Sequence, residues 1–427
     1  MPGWLLNLCY WCFLLLVSPV LLWKMIGEGK YRTGWSEKFF GRVPILPAAE
    51  CSRIWLHAVS VGEVLQLRQV VKEILSRDAN FEIVISTTTD TGFSVAQEQF
   101  PDHEVIRYPL DFTWAVKNAL RRIQPDLVVL VELELWPNFI HTAHRLQVPV
   151  VVINGRLSER SFRGYRRIRS IVSRLLQDVR LIAAQNHEYA QRFLDLGCRT
   201  DQVIVTGSIK FDGVRTERET PKAIELRNWL QLADDQQLLI AGSTQDPEEE
   251  IVLDVFQKLM RGFPNLRLLI VPRHPNRGGE IMQSIQRRRW NVLQRSAEVT
   301  PVEVTTKTVG LLDTVGELSD AWGLADVAFV GGSFGDRGGQ NMLEPAALGV
   351  PVCFGPNTVN FKQIAEQLLG AGGAQRVHSF EELESFISSM LQNSERAHDM
   401  GQAASTYVLQ QQGATARTVD LIQRCLS

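Results

Sequence analysis

Short apolar runs alternate with longer amphipathic stretches along most of this chain. Ile54–Val59, Ile83–Ser86, Leu127–Val131, Val148–Ile153, Leu181–Ala184 and Val203–Val205 are short and β-rich, so they are predicted to be strands. Between them, Val64–Leu75 and Ile168–Leu176 repeat their apolar residues at about 3.6-residue spacing and are predicted to be helices. Strands that lack polar alternation and are separated by helices imply parallel sheets covered on both faces. The polar, charge-rich stretch Asp212–Lys222 interrupts this rhythm, which resumes with strands at Leu238–Ala241, Leu268–Val271, Val327–Val330 and Val350–Phe354. The pattern therefore predicts two doubly wound α/β halves, residues 31–212 and 223–427, joined by a linker over residues 213–222. The last helices are assigned to the second half.

The first residues follow a different rule. Trp4 to Trp23 carries no charged side chain and is long enough to span the ~30 Å hydrocarbon layer of a bilayer. It runs into Lys24-Met25-Ile26-Gly27 with no small-residue cleavage site, so residues 1–30 are predicted to be a retained membrane anchor. Trp4, Tyr10, Trp11 and Trp23 are suited to interfacial anchoring, while Pro19 leaves a monotopic or re-entrant placement open beside a spanning one. Lys24, Lys30, Arg32, Lys38 and Arg42 all follow the segment, which places the remainder on the cytoplasmic side of the membrane.

Length, 427 residues, accommodates two domains. A net charge of −2 carries no overall nucleic-acid signature, so basic character has to be local. It is local at Arg156, Arg160, Arg163, Arg166, Arg167, Arg169 and Arg174, a run that reads as a solvated basic face or as a surface for anionic lipid. The six cysteines form neither a disulfide framework nor a metal set, and Cys9 and Cys12 are small apolar residues within the anchor.

In doubly wound sheets chemistry collects in loops after the strands. Glu63 follows the first strand in HAVSVGE, as a helix-opening carboxylate or as a general base for a hydroxyl. Glu132 and Glu134 follow Leu127–Val131, at a solvated strand end or in a working site, and Lys210 is a surface lysine or a point charge for an anion. In the second half Gly242-Ser243-Thr244 has the small residues of a phosphate-cradling loop, or of an ordinary turn. Pro272-Arg273-His274 offers a guanidinium clamp. Gly331-Gly332-Ser333 and Asn341-Met342-Leu343-Glu344 combine glycines with groups suited to phosphate and ribose. No Asp-x-Asp element is present to hold a nucleotide-sugar metal.

The segments HAVSVGE, VELELWPN, NGRLSERS, AAQN, GSIKFD, GSTQDPEEE, VPRHP, VGGSF, GGQNMLEP and GPNTVNF, in this order, resemble the Kdo (3-deoxy-D-manno-octulosonic acid) transferases of Gram-negative bacteria. The resemblance runs from about Tyr31 to the final helices and implies a GT-B glycosyltransferase of two Rossmann-like domains with an N-terminal membrane anchor. It implies an inverting, metal-independent enzyme without cofactor that moves Kdo from CMP-Kdo to a lipid A precursor, with no nucleic-acid partner. It further implies that Glu63 is the general base, that Glu132 and Lys210 support the transition state, and that the second half binds the donor. The implied donor contacts are Ser243, Thr244, Pro272, Arg273, His274, Val315, Gly316, Glu317, Gly332, Ser333, Asn341, Met342, Leu343 and Glu344. Gln245 and Gln340 stand where the family has histidine, and Pro247 where it has glycine, so the donor loop is expected to lack a cationic switch near neutral pH. The rival readings are a GT-B enzyme using a UDP-sugar, whether lipid glycosyltransferase or epimerase, and an inactive membrane scaffold.

Overall fold

The structure, a computed structural model, describes residues 3–27, 33–48, 50–78, 80–297 and 304–426. The chain forms two compact units, residues 1–213 with 411–427, and residues 214–410.

The first unit is built on seven parallel strands: β1 (Ser52–His57), β2 (Phe81–Thr87), β3 (Glu104–Arg107), β4 (Leu127–Val131), β5 (Val150–Gly155), β6 (Leu181–Ala184) and β7 (Val203–Val205). Their order is β3-β2-β1-β4-β5-β6-β7, so the winding reverses between β1 and β4. Ile54 pairs with Leu127 there, and Ser52 with Phe81 on the other side of β1. Successive side chains leave opposite faces of a strand. Accordingly Trp55 packs with Val128, Phe139 and Val152 on one face, while Ile54 and Leu56 pack with Val64, Leu67 and Val129 on the other.

The second unit repeats the design with β8 (Gln237–Thr244), β9 (Leu266–Pro272), β10 (Asn291–Gln294), β11 (Thr308–Leu311), β12 (Val327–Val330), β13 (Val352–Phe354) and β14 (Ala374–Arg376). The order is β10-β11-β9-β8-β12-β13-β14, all pairs parallel, and its reversal lies between β8 and β12. Two doubly wound units of this kind are the GT-B architecture expected from the sequence.

Two boundaries differ from the sequence reading. Residues 411–427 belong to the first unit, because Val419 and Ile422 of the Ala414–Leu426 helix join the Ile54–Val64 core. Asp212 fixes the entry to that helix, its carboxylate accepting from the backbone N–H groups of Gly413 (2.6 Å) and Thr415. The charged stretch read as a linker is also ordered. From Val214 onward it belongs to the second unit, with Arg215 paired to Asp320 and Arg218 donating to the carbonyls of Gly323 and Ala325.

At the start of the chain Gly3–Gly27 is one 25-residue helix that passes through Pro19 without breaking. Its Gly3–Val20 portion is long and apolar enough to cross a membrane, with mean hydropathy 1.6.

Candidate functional site

Each sheet gathers its candidate residues at its own switch point, where adjacent strands feed their loops in opposite directions. In the first unit Glu63 follows β1 and Glu132 follows β4. Ser60 caps the Val61–Arg77 helix, its hydroxyl accepting the Glu63 N–H, and the Glu63 side chain folds back over that turn. Its carboxylate accepts from the Val59 N–H at 2.9 Å and from the Ser60 hydroxyl at 2.7 Å. Helix opening and base chemistry thus fall on the same side chain. Burial raises the Glu63 pKa above the usual carboxylate range and the Glu132 charge raises it further, while the Val59 and Ser60 donors pull it back.

Glu132 sits at φ +61°, a left-handed conformation rare for a residue of its type, with its N–H held by the Ile153 carbonyl at 2.9 Å. Lys210, from the short turn after β7, places Nζ 3.8 Å from the Glu132 carboxylate. Glu134 is a third carboxylate in this cluster. It accepts from the Trp136 indole N–H at 2.9 Å, and burial together with the Glu63 charge pushes its pKa up to about 7. Three coupled carboxylates beside one lysine supply a proton acceptor of elevated basicity and a partly neutralised anion, a combination suited to activating a hydroxyl.

Nearby, Tyr108, Trp136 and Leu110 line a cavity of about 200 Å³ that also touches Trp35, Lys38 and Leu14 of the first helix. His57, at the end of β1, is fully buried, stacks on Tyr108 at 3.6 Å and is held far toward the neutral form by burial, with a pKa of about 3. It is a packing residue rather than a proton carrier.

The second unit is organised around a residue that sequence reasoning missed. Glu248, 1% exposed, opens the helix after β8 and accepts four backbone N–H groups: Gln245 (2.9 Å), Gly332 (2.6 Å), Ser333 (2.8 Å) and Phe334 (3.0 Å). The glycine-rich loop after β12 does cradle an anion, but the anion is this carboxylate. The N–H groups of Gly332 and Ser333 are therefore committed within the protein. The Ser333 hydroxyl is likewise committed, donating to the Val330 carbonyl and accepting from Gly355 N–H. Gly331 is required for this fit, since a Cβ there would lie 2.7 Å from the Glu248 carboxylate and 2.6 Å from Thr244 Cα.

Around this core the remaining candidates follow β8, β9, β11 and β12. The backbone bulges at Ser243, φ +54°, and Thr244 is buried with its carbonyl accepting the Arg273 N–H at 2.9 Å. Pro272 is buried, whereas Arg273 and His274 are exposed, and Arg273 makes no ion pair among the described residues.

Val315 is 85% exposed at the tip of the β11 loop and Gly316 follows at φ +87°. Glu317, by contrast, is tied down by Arg295 (2.9 Å), Lys222 (2.8 Å) and the Thr314 hydroxyl. Burial by itself would raise its pKa, but Arg295 and Lys222 outweigh it and hold the carboxyl at about 2. A depressed carboxylate contributes stability above its unfolded pKa and loses it as pH falls through the folded value. The stability gap between the wild type and Glu317→Gln is therefore expected to shrink as pH falls from 4.5 toward about 2. Denaturant midpoints across that range measure it, and a constant gap would disprove the assignment.

Met342 and Leu343 are buried, while Asn341 donates to the half-buried Glu344 at 2.9 Å. Gln245 and Gln340 meet at Gly332, where a Cβ would lie 3.1 Å from Gln245 Nε2 and 3.0 Å from Gln340 Cγ. Among the described residues no group of three His, Cys, Asp or Glu side chains is placed to hold a metal ion.

Comparison with known proteins matches residues 33–213 to the family model described as 3-deoxy-D-manno-octulosonic-acid transferase (kdotransferase). The 3-deoxy-D-manno-octulosonic acid transferase of Haemophilus influenzae is 33% identical over 423 residues, covering 97% of both chains. The Chlamydophila psittaci transferase is also 33% identical, covering 85% of this chain and 83% of its own. The chain belongs to the 3-deoxy-D-manno-octulosonic acid transferase family. It is thus a glycosyltransferase, which removes the inactive-scaffold reading. Among solved structures, UDP-GlcNAc 2-epimerase from Neisseria meningitidis has a TM-score of 0.61 at 14% identity, over 87% of this chain and all of its own. Acinetobacter baumannii MurG has a TM-score of 0.55 at 14% identity, over 87% of this chain and 99% of its own. These two likenesses establish the GT-B fold. Glu134 and Trp136 lie in the segment VELELWPN and Glu248 in GSTQDPEEE, but only their neighbours in space reveal what they do.

Proposed function

We propose that this transferase moves Kdo from CMP-Kdo to a hydroxyl of a lipid A precursor in lipopolysaccharide core biosynthesis, inverting the anomeric centre and requiring no metal. The observation that carries the mechanism is the coupled cluster of Glu63, Glu132 and Glu134 beside Lys210 at the switch point of the first sheet. Glu63 accepts the proton of the acceptor hydroxyl, whose oxygen forms a bond to the Kdo anomeric carbon. The bond from that carbon to the phosphate oxygen breaks, and CMP departs with the electron pair. Lys210, held by Glu132, supports the charge that develops. In the second unit Arg273, with the backbone around Ser243, Val315 and Gly316 and the Asn341–Glu344 pair, forms the donor side.

The apolar cavity beside Trp136 supports an acylated acceptor, and the apolar first helix supports a membrane location. Both fit the cytoplasmic face of the inner membrane. Arg160, Arg166, Arg167, Arg169 and Arg174 are exposed with Ile168 and Ile171, a surface suited to anionic lipid.

Purified protein incubated with CMP-Kdo and a lipid A precursor is expected to yield a lipid heavier by whole Kdo residues in mass spectrometry. In thermal unfolding CMP is expected to raise the midpoint and UDP to leave it unchanged. Stabilisation by UDP together with an unmodified lipid would support the UDP-sugar reading instead.

A further inference from the structure

The first helix is read above as a membrane segment, and its contacts determine how it meets the lipid. Gly3, Asn7, Tyr10, Leu14 and Val17 are half-buried at spacings of four, three, four and three, one continuous stripe along the helix. That stripe lies on the body of the first unit. Asn7 donates to the Thr113 hydroxyl at 2.8 Å and accepts from the Thr113 N–H (3.2 Å) and the Asn138 amide (3.1 Å). The Tyr10 hydroxyl donates to Asp111 at 2.7 Å. The Trp11 ring sits 5.4 Å from Phe39 and 5.7 Å from Phe112. Asp111 is itself buried, and its two oxygens accept from the N–H groups of Asn138 (3.0 Å) and Phe139 (2.7 Å), at the start of the helix that follows the Glu132–Trp136 loop.

The opposite side of the helix is bare. Leu8, Phe13, Leu15, Leu16 and Val20 are each more than half exposed there. A bilayer-spanning helix would carry its first residues to the far side of a ~30 Å hydrocarbon layer. Those same residues here touch Thr113 and Asn138, which belong to the body. Both conditions cannot hold in one molecule.

We propose that the Gly3–Gly27 helix is monotopic: it is clamped to the first unit by Asn7 and Tyr10, its bare face enters a single leaflet, and the N-terminus stays on the side of the catalytic carboxylates. The polar side chains that a spanning helix would have to carry into hydrocarbon are thereby the ones satisfied by protein. This rests on the membrane reading above and adds a defined orientation to it. Because the clamp ends on the residues capping the Pro137–Arg145 helix, it also fixes the height of the carboxylate cluster above the lipid.

A Cβ on Gly3 would lie 2.7 Å from Thr113 Cγ2, close enough for an engineered disulfide. The full chain carrying Gly3→Cys and Thr113→Cys, with Cys9 and Cys12 replaced by Ser, is expressed in native membranes and treated with a mild oxidant. An intramolecular link between residues 3 and 113 is expected in most molecules, and in none of the single variants. In parallel, compartment-specific reporters are fused to the N-terminus and the C-terminus of the otherwise wild-type chain. Both are expected to report the same side. Absence of the link in membrane-bound protein, or reporters on opposite sides, would overturn the proposal. Protein found wholly in the supernatant would overturn the membrane reading with it. Absence of Kdo transfer by membranes carrying the wild-type chain would instead count against the catalytic reading and leave the placement standing.

Discussion

Glu63→Gln is expected to lower kcat for Kdo transfer by about 10²–10⁴-fold, the range usually contributed by a positioned general base. The amide is nearly isosteric, and its oxygen still accepts the Val59 N–H that Glu63 accepts at 2.9 Å. Ser60 continues to cap the helix through its own hydroxyl, and a hydroxyl can rotate to accept from the new amide. The fold and the donor side should therefore be intact. Stabilisation by CMP is expected to match the wild type while turnover falls, a split that separates a lost proton acceptor from a damaged binding site. The wild-type enzyme supplies a second check. Burial raises the Glu63 pKa first, and the Glu132 charge adds to it. A base must be ionised to act, so kcat/KM is expected to rise with pH along a limb displaced above the ordinary carboxylate range. Near-normal turnover of Glu63→Gln would remove this residue from the chemistry.

How much of this was legible in the sequence depends on which force formed each element. Leu127–Val131, Leu181–Ala184 and Val327–Val330 match their predicted bounds, because interior parallel strands are apolar on both faces and announce themselves by composition alone; Val203–Val205, an edge strand, matches because all three of its residues are apolar. Glu104–Arg107, Asn291–Gln294 and Ala374–Arg376 were not foreseen. They lie at sheet edges, where one flank is left without a partner and the residues need not be apolar. Thr308–Leu311 escaped notice for another reason, since Gly310 interrupts its apolar run. The glycine is needed there: a Cβ would lie 2.7 Å from Leu230 and 2.8 Å from Leu269.

The sites divide in the same way. Positions directly after strands, such as Glu63 and Glu132, were visible because topology places such loops at the switch point. The return of the final helix to the first unit was invisible, being decided by Asp212 and by the Val419 and Ile422 contacts, which link positions 201 residues apart or more. The clamp on the first helix escaped for the same reason. Nothing local to Asn7 or Tyr10 predicts Thr113 and Asp111 as partners.

The largest stability effect is expected at Glu248, where the sequence showed only the first of three consecutive glutamates. Four backbone N–H groups converge on this buried carboxylate from two loops, at 2.6 to 3.0 Å. Removing one partner of a buried, charge-assisted set leaves donors without acceptors, and the donors are fixed in the backbone and cannot turn away. Water can reach only part of the space, since Gly332 and Ser333 are buried and Phe334 is not fully so. Glu248→Ala is therefore expected to destabilise the second unit by about 3–5 kcal/mol, as several buried backbone donors lose their acceptor at once. Glu248→Gln keeps one acceptor oxygen but turns an amide N–H₂ toward backbone donors, so it recovers less than half of that loss. Glu249, its neighbour, is the informative contrast. It is equally buried but meets a single partner, Arg277, at 2.6 Å, and Arg277 reaches Asp246 and Glu280 as well. Glu249→Ala should therefore cost distinctly less. Denaturant unfolding of the full chain measures both, with hydrogen exchange at residues 332–334 as the local readout. Glu248→Ala should accelerate exchange there and weaken stabilisation by CMP, because the β8 and β12 loops lose the anion that joins them. A variant within 1 kcal/mol of wild type, with the loop still protected, would show that the loop is held by its glycines and packing and not by the carboxylate.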